Sequence, residues 1–169
     1  MIGKRIVAVV TLVGTMGIGT AALAGGFEWK AKPMVGASEV PANDSTASAK
    51  ASFEMEHGAI EYKIRMTRPI TGAFMGHIHT AAVGVNGPIV VWLFGDAKLG
   101  LNNPTMDFSR RATVARGRIT AADLVGPLAG KTLADLKALL DNGNAYVNLH
   151  TRAHPGGEIR AQVVADAED

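Results

Sequence analysis

The chain has 169 residues, 47% of them hydrophobic and 19% charged, which suits one globular domain and excludes long-range disorder. It has no cysteine, so neither a disulfide framework nor a thiolate metal site can be built. The formal net charge of +2 would suggest a polyanion partner, but part of it belongs to an N-terminal segment with the features of a secretory signal.

In that segment, Met1–Ala24, Lys4 and Arg5 form a basic start, an apolar core begins at Ile6–Val13, and Ala22-Leu23-Ala24 is an A-x-A cleavage site. Removing it takes two of the 17 basic residues and leaves the rest balanced against 15 acidic ones, so a nucleic-acid-binding role loses its electrostatic footprint. Gly14, Gly17 and Gly19 interrupt the apolar stretch, which makes it marginal for a retained anchor. The expectation is an exported protein, periplasmic or secreted, with residues 25–169 as one domain and no stable membrane span after cleavage.

Beyond Ala24 the chain reads as a series of strands. Ala47–Met55 is the first candidate, closed by the turn pair His57-Gly58. Ala59–Thr67 follows with Ile60, Tyr62, Ile64 and Met66 alternating against Glu61, Lys63 and Arg65, and the two form a hairpin. Thr71–Thr80, Ile89–Phe94, Ala112–Arg118, Ala145–His150 and Glu158–Ala165 complete the set, punctuated by Asn86-Gly87-Pro88, Asn102-Asn103-Pro104 and His154-Pro155-Gly156-Gly157. A helix starts at Thr132, capped with Asp135, presents Leu133, Leu136, Leu139 and Leu140 on one face, and stops at Asn142-Gly143. A shorter turn begins at Thr120 with Asp123 at the same offset. The pattern predicts an all-β fold: an antiparallel Greek-key sandwich or barrel with one or two short helices inserted before the last two strands.

Four of the five histidines fall in two segments, His77-Ile78-His79 and His150-Thr151-Arg152-Ala153-His154. Residues i and i+2 of a strand share a face with Cα atoms roughly 6.5–7 Å apart, so His77 and His79 can converge on one metal while Ile78 faces the core. Val147 and Leu149 give the later strand its apolar side and place Tyr146, Asn148 and His150 on the other. If the strands are neighbours His150 joins the pair, and His154 could be folded back as a fourth ligand. A lone H-x-H is a weak signal, and a strand histidine is usually a satisfied polar group; H-x-H together with H-x-x-x-H is stronger. All-nitrogen ligation favours copper, and after it zinc, over calcium or magnesium. His57 is assigned to its turn.

Gly36-Ala37-Ser38-Glu39-Val40-Pro41, Gly76-His77-Ile78-His79, Asn86-Gly87-Pro88-Ile89-Val90, Tyr146-Val147-Asn148-Leu149-His150-Thr151 and Pro155-Gly156-Gly157-Glu158-Ile159-Arg160-Ala161-Gln162 together resemble the CHRD domain, over about Lys32 to Val164. That resemblance implies an extracytoplasmic all-β fold and no particular activity. A second, weaker one concerns chemistry. Gly76-His77-Ile78-His79 is similar to the copper-ligand strand of the copper/zinc superoxide dismutases, Val147-Asn148-Leu149-His150 to their later strand bearing a copper histidine, and Gly156-Gly157-Glu158-Ile159-Arg160 to the turn before their final strand. It implies His77, His79 and His150 as copper ligands and Arg160 as the catalytic residue that guides the superoxide anion. The cysteine pair and the zinc loop of those enzymes are absent, so the implied site is copper-only, with His154 as a candidate fourth ligand. On the residues alone, Arg160 could equally pair with Glu158, Arg152 could supply the positive charge, and Glu158 could orient a ligand histidine.

Gly126–Thr132 falls one residue short of a phosphate-binding loop and is better read as a loop into the capped helix. Trp29 and Trp92 are core or rim residues, and the scattered methionines are core filler. The reading is an exported copper-binding protein, with superoxide dismutation as the sharp hypothesis. A non-catalytic module that buffers metal or binds a protein partner at the cell envelope is the alternative, and a structural zinc site a third. The expected substrate partner is a small anion such as superoxide, and homo-oligomerisation is left open.

Overall fold

In the computed structural model, residues 28–166 are described, and the Met1–Ala24 signal reading lies outside them. Ten strands join in one antiparallel sheet: β1 (Glu28–Val35), β2 (Ser48–Glu56), β3 (Ala59–Arg68), β4 (Ile70–Thr80), β5 (Ile89–Phe94), β6 (Met106–Phe108), β7 (Thr113–Ile119), β8 (Ala145–Thr151), β9 (Ile159–Gln162) and β10 (Val164–Ala165). Eight of them run in the order β5-β4-β8-β9-β1-β2-β3-β7, with β6 added to β4 and β10 to β1. The sheet curls into a nearly closed barrel. Near the seam, the Tyr62 hydroxyl of β3 donates to the Leu93 carbonyl of β5 at 2.8 Å.

Period-two alternation decides which side chains enter the barrel. Ala49, Ala51 and Phe53 of β2, Ile64 and Met66 of β3, Ile78 of β4, Val147 and Leu149 of β8, and Ile159 and Ala161 of β9 all belong to one buried cluster. At about 25 cal/mol per Å² of apolar surface removed from water, this interior supplies the main drive to fold.

Seven strands stand where the sequence places them, to within a residue or two, except that Glu158–Ala165 divides into β9 and β10. Two more, β1 and β6, were not read. In β1 the inward residues are Trp29, Ala31 and then Met34, a three-residue step, and the pairing with β2 shifts register between Ala31 and Met34. Pro33 also removes a ladder donor there.

The single α-helix among the described residues, α1 (Leu133–Asp141), precedes the last three strands. Its N-terminus carries the expected box: the Thr132 backbone N–H and hydroxyl donate to Asp135 Oδ2 at 2.8 and 2.7 Å. Leu136 and Leu140 are fully buried. The Thr120 turn is a 3-10 turn, Ala121–Asp123, with the same box, and another, Gly126–Leu128, occupies the loop before α1.

Candidate metal centre

Strands β4 and β8 pair directly, and their register sets the site: Met75 lies opposite His150, His77 opposite Asn148, and His79 opposite Tyr146. Asn148 in turn faces Arg160 on β9, and His77 faces Trp92 on β5. This outward face is nonetheless covered. Every residue of β8 is buried, and His77, His79 and His150 are 0%, 8% and 5% exposed.

The cover is made by three loops. The segment after β1 enters through a 3-10 turn, Gly36–Ser38, and is held by Asn43, whose amide donates to the carbonyls of Gly157 and Glu158 at 3.1 Å each. Asn86, in the loop between β4 and β5, donates to the Val40 carbonyl at 2.7 Å and accepts from Arg160 Nη1 at 2.9 Å. These are the segments of the sequence resemblance, and the fold brings them together around the histidines.

One nitrogen from each of His77, His79 and His150 falls in a group within 4.8 Å. Two of the rings are oriented by the backbone. His79 Nδ1–H donates to the Gly87 carbonyl at 2.8 Å and His150 Nδ1–H to the Pro155 carbonyl at 2.9 Å. Because each ring spends its proton on Nδ1, each Nε2 is left with a lone pair, the tautomer a metal ligand needs. Asn148 Oδ1 stands 3.1 Å from His79 Nε2, an acceptor facing the lone pair of this tautomer; with the amide turned over, its N–H would donate to Nε2 instead.

Burial holds all three rings neutral. It pushes His77 down to about 2, with the neighbouring His150 and His79 adding to the effect. His150 falls to about 4, its burial opposed by the bond to Pro155, and His79 is lowered by burial against its bonds to Gly87 and Asn148.

His77 has a bonding problem that a cation relieves on one side of the ring. Its Nδ1 is 3.1 Å from His150 Nε2, and its buried Nε2 has no protein partner among the described residues. If its proton sits on Nδ1, Nε2 is an orphan acceptor; if on Nε2, an orphan donor remains and two lone pairs face each other. Either state leaves a buried polar atom unmet, at about 1–3 kcal/mol. With the proton on Nε2, a cation between the facing lone pairs of His77 Nδ1 and His150 Nε2 turns their repulsion into ligation, since two ligand nitrogens about 3 Å apart suit metal–nitrogen bonds of about 2 Å. The Nε2–H then stays without a partner among the described residues. The donor set therefore fits a metal of the copper or zinc kind.

Aromatic rings wall the group. Trp92 meets His77 edge-on with centroids 4.2 Å apart, and Tyr146 stacks on His79 at 4.7 Å with planes 4° from parallel. Arg160 lies over the other ring of that stack, its Cζ 4.5 Å from the Tyr146 centroid. It is thus in the second layer behind His79. Its Nε donates to the Ser38 carbonyl at 2.6 Å, and the carboxylate near it, at 4.0 Å, is Glu39 rather than Glu158. Desolvation raises Glu39 to about 7, against the pull of Arg160.

His154 is not brought to the cluster. Its Nε2 lies 3.6 Å from Glu158 Oε2, the oxygen that accepts from the Thr151 hydroxyl at 2.7 Å, and among the described residues Glu158 has no hydrogen bond or ion pair to the three grouped rings. Arg152 turns away to the Asn103 carbonyl and the Phe74 ring. His57 is exposed in its turn beside Glu56.

Sequence reasoning held Glu39, Gly87 and Pro155 only within the segments of the family resemblance and read Trp92 as core or rim, assigning none of them to the site. Tyr146 and Asn148 share the period-two phase of His150 and were legible as neighbours of the site. Glu39 and Trp92 arrive from other elements, and no periodicity links them to the histidines.

No curated protein and no solved structure matched the chain. The CHRD domain family matches over residues 31–163, a span that contains β4, β8, β9 and all three covering loops. The chain belongs to the CHRD domain family.

Proposed function

We propose that the protein is an exported copper-binding CHRD-domain protein whose metal is held by His77, His79 and His150. The observation that carries this reading is the convergence of three buried, neutral imidazoles, two with their Nδ1 protons committed to backbone carbonyls. Imidazole suits both copper and zinc, and copper stands above zinc in affinity for such sites. Export is supported by the features of Met1–Ala24 and by the family; among the described residues no helix is long and apolar enough to cross a membrane.

Copper in this site would supply one-electron chemistry between two oxidation states. The protein's own contribution is to fix ring orientation through Gly87 and Pro155 and to exclude water with Trp92 and Tyr146. Arg160, stacked over Tyr146, adds a fixed positive charge behind His79, which favours a small anion. That charge supports superoxide dismutation as the activity. The burial of all three rings supports the non-catalytic alternative, metal buffering at the cell envelope.

The experiment is superoxide consumption by the copper-loaded protein beside its His79→Ala and Arg160→Gln variants. The dismutase reading expects activity lost in His79→Ala and reduced in Arg160→Gln with copper content kept. Tight copper without activity in the wild type leaves buffering, and a protein that binds no copper overturns both.

A further inference from the structure

Away from the histidines, the outer face of β1, β2 and β3 carries a concentration of positive charge that the fold does not require. Lys30, Lys32, Lys50, Lys63 and Arg65 line a depression of about 330 Å³, and Lys50 and Arg65 also border a second, of about 200 Å³, with Arg110 and Arg111. No carboxylate lines either one; a third depression, which shares Lys30, Ser52 and Lys63 with the first, is bordered by Glu54 and Glu61 and ends the basic stretch on that side.

The register makes the crowding costly. Lys50 stands directly opposite Arg65, and Lys63 directly opposite Arg116. Like charges facing each other across a sheet are destabilising, where a carboxylate in either position would stabilise. These residues alternate with core residues and point outward, so core packing does not explain them, although Arg65 has a bond to the backbone, its Nε donating to the Arg111 carbonyl at 3.0 Å. Among the described residues, Asp166, which follows β10, pairs with the groove's Lys30.

We propose that this groove binds an extended, carboxylate-bearing polysaccharide. The two adjoining depressions form a track for a chain rather than a pocket for a small molecule. The Lys30–Asp166 pair shows the carboxylate chemistry the surface accepts. Neither depression has an aromatic lining residue, and of the three aromatic residues bordering the depression beside them Trp29 and Phe53 are buried, so only Tyr62 is open for a base to stack on, which argues against single-stranded nucleic acid. Neither presents an exposed large apolar side chain for insertion into a bilayer. The surface is distinct from the metal site and does not depend on its reading.

The test is binding of the mature protein, at fixed salt, to polygalacturonate, with uncharged dextran, a single-stranded DNA oligonucleotide and phosphatidylglycerol vesicles alongside. Polygalacturonate should bind more tightly than the other three. Lys50→Glu/Arg65→Glu should weaken it about tenfold or more, while Lys98→Glu/Lys131→Glu, the same charge change outside the groove, should alter it less than about twofold. The neutral pair Lys50→Gln/Arg65→Gln should also lose binding while keeping or raising Tm, since it removes a repulsion. Equal losses in the groove and control variants, tighter binding to DNA or vesicles, or no binding to polygalacturonate overturns the proposal.

Discussion

The proton on each imidazole decides what the three-histidine cluster can hold. Gly87 and Pro155 take the Nδ1 protons of His79 and His150, and burial prevents a second proton from binding, so the lone pairs remain available well below neutral pH. His154 lies four residues beyond His150, but its partner is the Glu158 carboxylate. Metal analysis after dialysis should therefore find His154→Ala with the wild-type copper content, whereas His77→Ala should lose it. Loss of copper in His154→Ala would show that a fourth ring reaches the metal. The spacing H-x-x-x-H does not reveal this difference, because the turn after β8 carries the His154 ring toward Glu158 and away from the cluster.

At the scale of elements, the site depends on how closely β4 and β8 approach. A Cβ on Gly76 would fall 2.6 Å from Leu149 Cδ2 and 3.2 Å from the Asn148 carbonyl. Gly76→Ala must displace the Leu149 side chain and press on the Asn148 carbonyl beside His77, and we expect weaker copper binding together with a lower urea midpoint. Unchanged values of both would mean that the strands yield without disturbing the rings. The helix contributes differently. Removing its cap with Thr132→Ala should cost about 1 kcal/mol in urea unfolding and leave copper affinity unaltered, because α1 supplies no site residue.

The same contrast explains what could be read in advance. The capping box, the hairpin and the H-x-H pair are local patterns, written in residues a few positions apart. The existence of β1 was hidden because Met34 breaks the alternation set by Trp29 and Ala31, and Pro33 interrupts the ladder. The covering of the histidine face was hidden for another reason. Tyr146, Asn148 and His150 alternate with Val147 and Leu149 as if one side met solvent, yet loops from 36–43 and 81–88 close over it. Contacts of that kind join residues more than 40 positions apart and leave no periodicity.

For the molecule as a whole, the cluster and Glu39 make opposite contributions to stability in the metal-free protein. His77 and His150 have native values of about 2 and about 4 against 6.5 for the free side chain. The unfolded chain therefore binds protons that the native state refuses, and their contribution, full above pH 6.5, is lost as the pH falls through that window. Glu39 is raised from 4.5 to about 7, so its contribution is full below pH 4.5 and lost as the pH rises to about 7. Urea midpoints across this range should rise more steeply with pH in Glu39→Gln than in the wild type, with the variant gaining most at pH 7 and above. Identical profiles would mean that Glu39 is ionised in the native protein throughout.

The most direct test of the central claim is the copper retained per chain by the protein produced from residue 25 onward, beside His77→Ala, His79→Ala and His150→Ala. We predict close to one equivalent in the wild type and almost none in each variant, with the variants still folded by circular dichroism. A wild type without copper, or three variants that all keep it, would contradict the assignment of these histidines as a metal centre.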